Sequence, residues 1–232
     1  MPETVRYALY YVPSAASALY RFGASMIGYD AYAACDLPFP EAPLQSFPDW
    51  SSMTKEPRIY GFHATLKAPF ALADGASEAD VLAAFGAFAQ TPRAIPQIAP
   101  VVRAIGRFIA IVPDTSVAEL NSLAADCVRA FDHLRAPLTE HDRNRRLKSP
   151  LTANQIALLD RWGYPYVFEE FRFHMTLTGA LDDAARGPAL TFLQAQFAAL
   201  ALDNLAIGSL TLLRQEGSNR FVIVKQAELT AV

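Results

Sequence analysis

Two histidines recur in this sequence inside near-copies of one pentapeptide, Phe62-His63-Ala64-Thr65-Leu66 and Phe173-His174-Met175-Thr176-Leu177. Each copy lies in an apolar, β-prone run. On a strand, side chains two residues apart share a face. His63, Thr65 and Lys67 then look one way and Phe62, Ala64 and Leu66 the other. His174, Thr176 and Thr178 likewise oppose Phe173, Met175 and Leu177. An imidazole and a hydroxyl are thus presented twice over an apolar underside. Two histidines facing one phosphoryl group can divide the work of ester cleavage. The neutral ring takes a proton from the nucleophile and the protonated ring gives one to the leaving oxygen. Histidine suits both roles because its ordinary pKa, about 6.5, leaves both forms available near neutrality. The threonine hydroxyls can donate to non-bridging phosphoryl oxygens and oppose the growing charge. This chemistry needs no metal and no cofactor. A zinc site would want a third ligand, and neither motif has Cys, Asp or Glu beside it in its strand. His133 and His141 sit at no ligand spacing.

Three further residues are candidates for substrate binding. Lys67 shares the His63 face and would add positive charge at the phosphate, unless it is a strand-end lysine in solvent. Tyr60 could stack on or hydrogen-bond the substrate, unless it packs. Arg143 leads a basic run with Arg145, Arg146 and Lys148, read as a lid gripping a second phosphate bidentately or as a solvated face. The aromatic stretch Trp162–Val167 reads as turn and packing, with the wall of a nucleotide-sized pocket as the alternative.

The elements that must position these groups follow from local signals. Val5–Val12 reads as a strand stopped by Pro13, and Ser14 as the cap of a helix to about Ile27. Gly28–Pro57 reads as a long, proline-rich loop and Ile59–Phe70 as the first motif strand. Ser77-x-x-Asp80 opens a helix over Glu78–Ala89, and Ile95–Ile105 and Arg107–Val112 follow as strands around Gly106. Ser116-x-x-Glu119 opens the next helix, and Thr152-x-x-Gln155 caps another that ends at Gly163. Arg172–Gly179 is the second motif strand, Pro188–Leu200 a helix, and Leu205–Leu213 with Asn219–Val224 a hairpin. Strand, helix and strand pair therefore occur twice, which predicts an α+β fold. It is an internal duplication over 1–232, one bilobal domain with lobes of about 1–115 and 116–232, antiparallel sheets and a central cleft.

Composition sets outer limits. The 232 residues are 52% hydrophobic and 19% charged, as in globular chains. A net charge of −3 argues against broad nucleic-acid binding while allowing a locally basic pocket. The expected partner is a small phosphorylated molecule. Cys35 and Cys127 make no disulfide framework, Met1–Val12 carries no secretory pattern, and the apolar stretch Leu190–Leu213 is interrupted by polar residues. A cytoplasmic protein that does not cross a membrane is expected.

The paired H-x-T-L motifs resemble those of the 2H phosphoesterase superfamily, which includes RNA 2′,3′-cyclic phosphodiesterases and 2′-5′ RNA ligase-like proteins. Tyr60–Lys67, Trp162–Val167 and Phe171–Thr178 resemble more narrowly the branch encoded among phosphonate-utilisation genes. The resemblance spans nearly the whole chain. It implies a bilobal duplicated fold and a metal-independent cyclic phosphodiesterase with His63 and His174 as the acid–base pair. For that branch it implies a small ribose cyclic phosphate as substrate. The alternatives are an RNA-end 2′,3′-cyclic phosphodiesterase and a non-catalytic module that binds a phosphorylated ligand.

Overall fold

A computed structural model describes residues 5–232; residues 1–4, the start of the segment read for a leader, lie outside them. Its centre is a seven-stranded sheet. In chain order its strands are β1 (Val5–Tyr11), β2 (Ala64–Phe70), β3 (Pro100–Ile105), β4 (Phe108–Pro113), β5 (Met175–Thr176), β6 (Ser209–Glu216) and β7 (Val222–Glu228). Their spatial order is β7-β6-β1-β2-β5-β4-β3, with every neighbouring pair antiparallel. The helices are α1 (Ala18–Ile27), α2 (Lys55–Tyr60), α3 (Glu78–Gln90), α4 (Ala118–Ala130), α5 (Glu140–Leu147), α6 (Ala153–Trp162) and α7 (Asp183–Ala198), besides the short helices Glu41–Ser46 and Trp50–Met53 and single turns.

The α+β class is as the sequence predicts, and the two motif strands lie side by side. The two sheets are joined edge to edge through Ala64 and Met175 into one. The sheet also interleaves the halves of the chain. The pair β3–β4 follows the first motif but lies against the second motif strand. The pair β6–β7 follows the second motif but reaches the first across β1. Lobes drawn at 1–115 and 116–232 therefore do not each own a separate part of the sheet.

Local chemistry explains most boundaries. Ser77 and Asp80 form the reciprocal capping box of α3, and Thr152 and Gln155 that of α6. Gly163 ends α6 at φ 76°, where any side chain would be strained. Ser17 rather than Ser14 caps α1, accepting from the Tyr20 amide. Val117 occupies the cap of α4 and makes no side-chain bond there, so the Ser116 signal is not used. Pro188 lies inside α7, which starts earlier because Asp182 caps it. The Gly28–Pro57 segment is partly helical, and buried Trp50 anchors it by donating to the Met26 carbonyl at 2.8 Å.

Two corrections bear on the site. Ile59–Phe70 is not one strand, because α2 runs to Tyr60 and pairing begins at Ala64. The second motif strand is only Met175–Thr176. Beyond it the Thr178 hydroxyl accepts from the Ile109 amide, replacing a ladder bond, and the Gly179 amide turns to the Met53 carbonyl.

The floor beneath the first motif is tight. A Cβ on Gly23 of α1 would lie 2.3 Å from the ring of Phe62, which is itself buried. Gly23→Ala is expected to lower stability by about 1–3 kcal/mol, as overpacking does. Urea denaturation checks it, with an unchanged midpoint as the contrary result.

Candidate functional site

Ala64 pairs with Met175, and both are fully buried. Extending that register one residue each way sets His63 across from Thr176 and Thr65 across from His174. Each histidine then stands opposite the other motif's threonine across the strand pair. In that register the histidines are diagonal neighbours across the strand pair, a relation that sets backbones about 7–8 Å apart, within reach of one phosphoryl group.

The two rings are anchored alike. His63 Nδ1 donates to the Gly61 carbonyl at 2.8 Å, and His174 Nδ1 donates to the Arg172 carbonyl at 2.7 Å. A carbonyl only accepts, so the proton of each neutral ring sits on Nδ1 and the lone pair on Nε2. Nε2 of His63 takes a bond from the Thr65 hydroxyl at 3.2 Å. Gly61 is required for this arrangement. Its φ of 77° disfavours any side chain, and a Cβ would lie 2.9 Å from that of Ala31. Burial lowers the pKa of His63 to about 4, with the Gly61 carbonyl opposing and nearby His174 reinforcing the shift. Burial also lowers that of His174, against the pull of the Arg172 carbonyl.

Two adjoining cavities open over these groups. One, of about 360 Å³, is lined by His63, Thr65, Thr176, Tyr10, Tyr60 and a basic group of Arg6, Arg145 and Arg146. The other, of about 400 Å³, holds His174 among Phe108, Val128, Phe168 and Phe171, with Gln155 and Glu170 at its polar side. Thr65, Tyr164 and Tyr166 border both. Phe168 stands at φ 54°, an unfavourable conformation for a bulky residue, at the wall of the apolar chamber.

His63, His174, Thr65, Thr176 and Tyr60 are thus brought together. Tyr60 arrives from the end of α2, stacked on Phe221 at 5.5 Å. Lys67 is not with them. It is 4% exposed, donates to the Val128 carbonyl at 3.1 Å and lies 3.6 Å from Asp132. Its ammonium ties β2 to the end of α4. Lys67→Met should leave KM unchanged and cost about 1–3 kcal/mol of stability, because the Val128 carbonyl loses its donor. A raised KM at unchanged stability would return the lysine to the substrate. Arg143 is also elsewhere, paired with Asp160 of α6 at 2.6 and 3.0 Å. The arginines of the basic run lie on helix α5, so they face different ways. Arg145 and Arg146 reach the cavity, with Arg146 over the Tyr164 ring at 4.7 Å.

Sequence reasoning missed Arg6 and Tyr10. Alternation along Val5–Tyr11 puts them on one face, and an arginine in so apolar a strand was the available signal. Among the described residues, no cluster of three or more His, Cys, Asp or Glu could hold a metal ion, and no helix is long and apolar enough to cross a membrane.

Residues 65–222 match the family described as "Protein of unknown function (DUF1045)". Among curated proteins, the chain is 42% identical over 217 residues to "Ribose 1,5-bisphosphate phosphokinase PhnN" of Janthinobacterium sp. (strain Marseille), covering 91% of this chain and 48% of that protein. It is 37% identical over 185 residues to the protein of the same name from Laribacter hongkongensis, covering 77% of this chain and 41% of that one. The chain therefore spans about half the length of these relatives. Among solved structures, E. coli LigT complexed with 3′-AMP aligns over 99% of both chains at 13% identity and a TM-score of 0.42.

Proposed function

The chain belongs to this family of unknown function, and we propose that it is a metal-independent phosphoesterase of the 2H type that opens a cyclic phosphate diester on ribose. The crossed square of two imidazoles and two hydroxyls supports this reading most directly. Water attacks phosphorus while the neutral Nε2 of one histidine takes its proton. The bond from phosphorus to one ribose oxygen breaks, and that oxygen takes a proton from the other ring in its imidazolium form. Thr65 and Thr176 donate to the non-bridging oxygens, which hold phosphorus in line and oppose the charge that develops. The product is a phosphomonoester.

The relatives' printed name supports a ribose that carries two phosphates, as do the three arginines of the polar chamber. A 1,2-cyclic phosphate of ribose 5-phosphate would place its diester between the histidines and its 5-phosphate among Arg6, Arg145 and Arg146. Breaking the bond at the 2-oxygen would leave ribose 1,5-bisphosphate. The second reading is a nucleoside or RNA-end 2′,3′-cyclic phosphate. It is favoured by the apolar chamber beside His174, whose aromatic walls could receive a base.

Hydrolysis in EDTA decides between them. The panel is a ribose 1,2-cyclic phosphate with and without a 5-phosphate, nucleoside 2′,3′-cyclic phosphates and a short RNA with a cyclic end. Preference for the 5-phosphorylated ribose supports the first reading, and preference for nucleosides supports the second. Saturable binding without turnover would make the protein a sensor of phosphorylated ligands, and loss of activity to EDTA would overturn the metal-independent step.

The pH dependence has a definite sign. One ring must be neutral and the other protonated. Because both pKa values lie below 6.5 in the free protein, the two requirements overlap only on the acidic side. kcat/KM is expected to be bell-shaped, with its acid limb near pH 4 and its alkaline limb below 6.5. Both limbs belong to the coupled pair. An optimum above pH 7 in kcat/KM would contradict this.

A further inference from the structure

The repeat makes the two histidines equivalent in sequence, but their surroundings differ. The ring of Tyr10 lies against that of His63 with centroids 3.8 Å apart and planes at 22°. The contact nearest in kind at His174 is Phe108, 5.6 Å away and tilted by 52°. Tyr10 is 1% exposed. Phe221 backs it at 6.1 Å, Tyr60 stacks on Phe221, and Tyr60 returns to His63 at 6.2 Å, so the four rings form a closed cage.

The groups around His63 give this contact weight. From β1 come Tyr10 and Arg6, from α2 Tyr60, from α5 Arg145 and Arg146, from the loop after α6 Tyr164 and Tyr166, and from just before β5 His174. They are phenols, cations and an imidazole, and no carboxylate is among these described neighbours. A histidine that works in proton transfer usually has a carboxylate or carbonyl to orient it. Here one carbonyl and the Thr65 hydroxyl fix only the in-plane direction of the ring. Rotation out of that plane is opposed by a stacked face.

We infer that Tyr10 is a positioning residue for His63, holding the imidazole flat so that its Nε2 lone pair stays directed into the cleft. This rests on the catalytic reading only for its effect on turnover. The orientation itself exists without substrate. Tyr10 acts through its ring face and not its hydroxyl, so Tyr10→Phe should keep the function. Tyr10→Leu should lose it, with kcat falling about 10–100-fold and KM staying within about twofold, as expected for a misplaced catalytic group.

The test combines NMR of the histidine rings with kinetics. In the free wild-type protein, the carbon-bound imidazole protons of His63 should lie upfield of those of His174 and show the Nδ1–H tautomer. His63→Gln and His174→Gln assign the signals. In Tyr10→Leu the His63 protons should move downfield and its titration rise toward the ordinary range, while His174 is unchanged. Tyr10→Phe should restore both the signals and kcat. Unshifted His63 protons in the wild type would overturn the inference, even if Tyr10→Leu does not fold. So would equal losses in Tyr10→Phe and Tyr10→Leu. If no substrate is turned over, the function proposed above fails and the NMR result still decides the role of Tyr10.

Discussion

His63→Ala and His174→Ala are each expected to lower kcat by about 10²–10⁴, the usual worth of a positioned proton-transfer group. The double variant should be little worse than the poorer single one, because an acid and a base that act in one step fail together. Folding should survive, since both side chains look into the cleft while Ala64 and Met175 fill the core beneath them. The effect should fall on kcat rather than KM, because the threonine hydroxyls and the arginines remain. His63→Gln and His174→Gln extend the test. An amide keeps approximate shape and one hydrogen bond but exchanges no proton, so both should be as inactive as alanine. Full activity in either variant would remove the paired-histidine mechanism.

The next largest effect concerns Arg146. Its guanidinium lies over the Tyr164 ring in the polar chamber, and no ion pair holds it among the described residues. Arg145, its neighbour, is tied to Asp142 at 3.0 Å, and Arg6 to the Gln215 side chain. Arg146 is thus the cation freest to turn to a ligand. Arg146→Ala should raise KM about 10–100-fold for a substrate with a second phosphate, the range for a hydrogen-bonded charge pair. For the same cyclic diester without that phosphate, KM should barely change. Arg146→Lys should recover only part of the loss, since a point charge cannot grip two oxygens. Equal losses on both substrates would mean that Arg146 serves the scissile phosphate or the wall instead. Arg143→Ala makes the control, because its charge is spent on Asp160 and it lines neither of the two cavities at the histidines.

The duplicated motif made the centre of the site legible in the sequence, and the same repetition made the α+β class legible. Capping boxes at Ser77 and Thr152 were readable because they depend on residues three apart. What was missed has physical causes. Patterning places Tyr60 in a strand because α2 is only six residues long, too short to show periodicity, and its Pro57 looks like a breaker although it sits in the first turn. Arg58 secures that turn through the Ile27 carbonyl and the Thr54 hydroxyl. These contacts are non-local or invisible to patterning. Alternation gives Lys67 a face but not what covers it, and here α4 covers it. Arg143 and Arg146 were indistinguishable as letters in a basic run. Helical geometry separates them, and only the position of Asp160 says which is occupied.

The exchange of strand pairs across the sheet ties activity to the order in which the chain is made. Val5 pairs with Glu216, and Phe221 backs the tyrosine that meets His63. The second motif strand is in turn held between β2 and β4, both synthesised long before it. No contiguous half of the polypeptide can therefore contain a finished site. Contacts so distant in sequence must wait for large loops to close, which slows folding. Until β6 arrives, β1 presents an open, apolar strand edge of the kind that recruits other chains. Recovery of turnover after refolding would thus report the last step of assembly, and partial chains would be lost to aggregation before they could be weak enzymes.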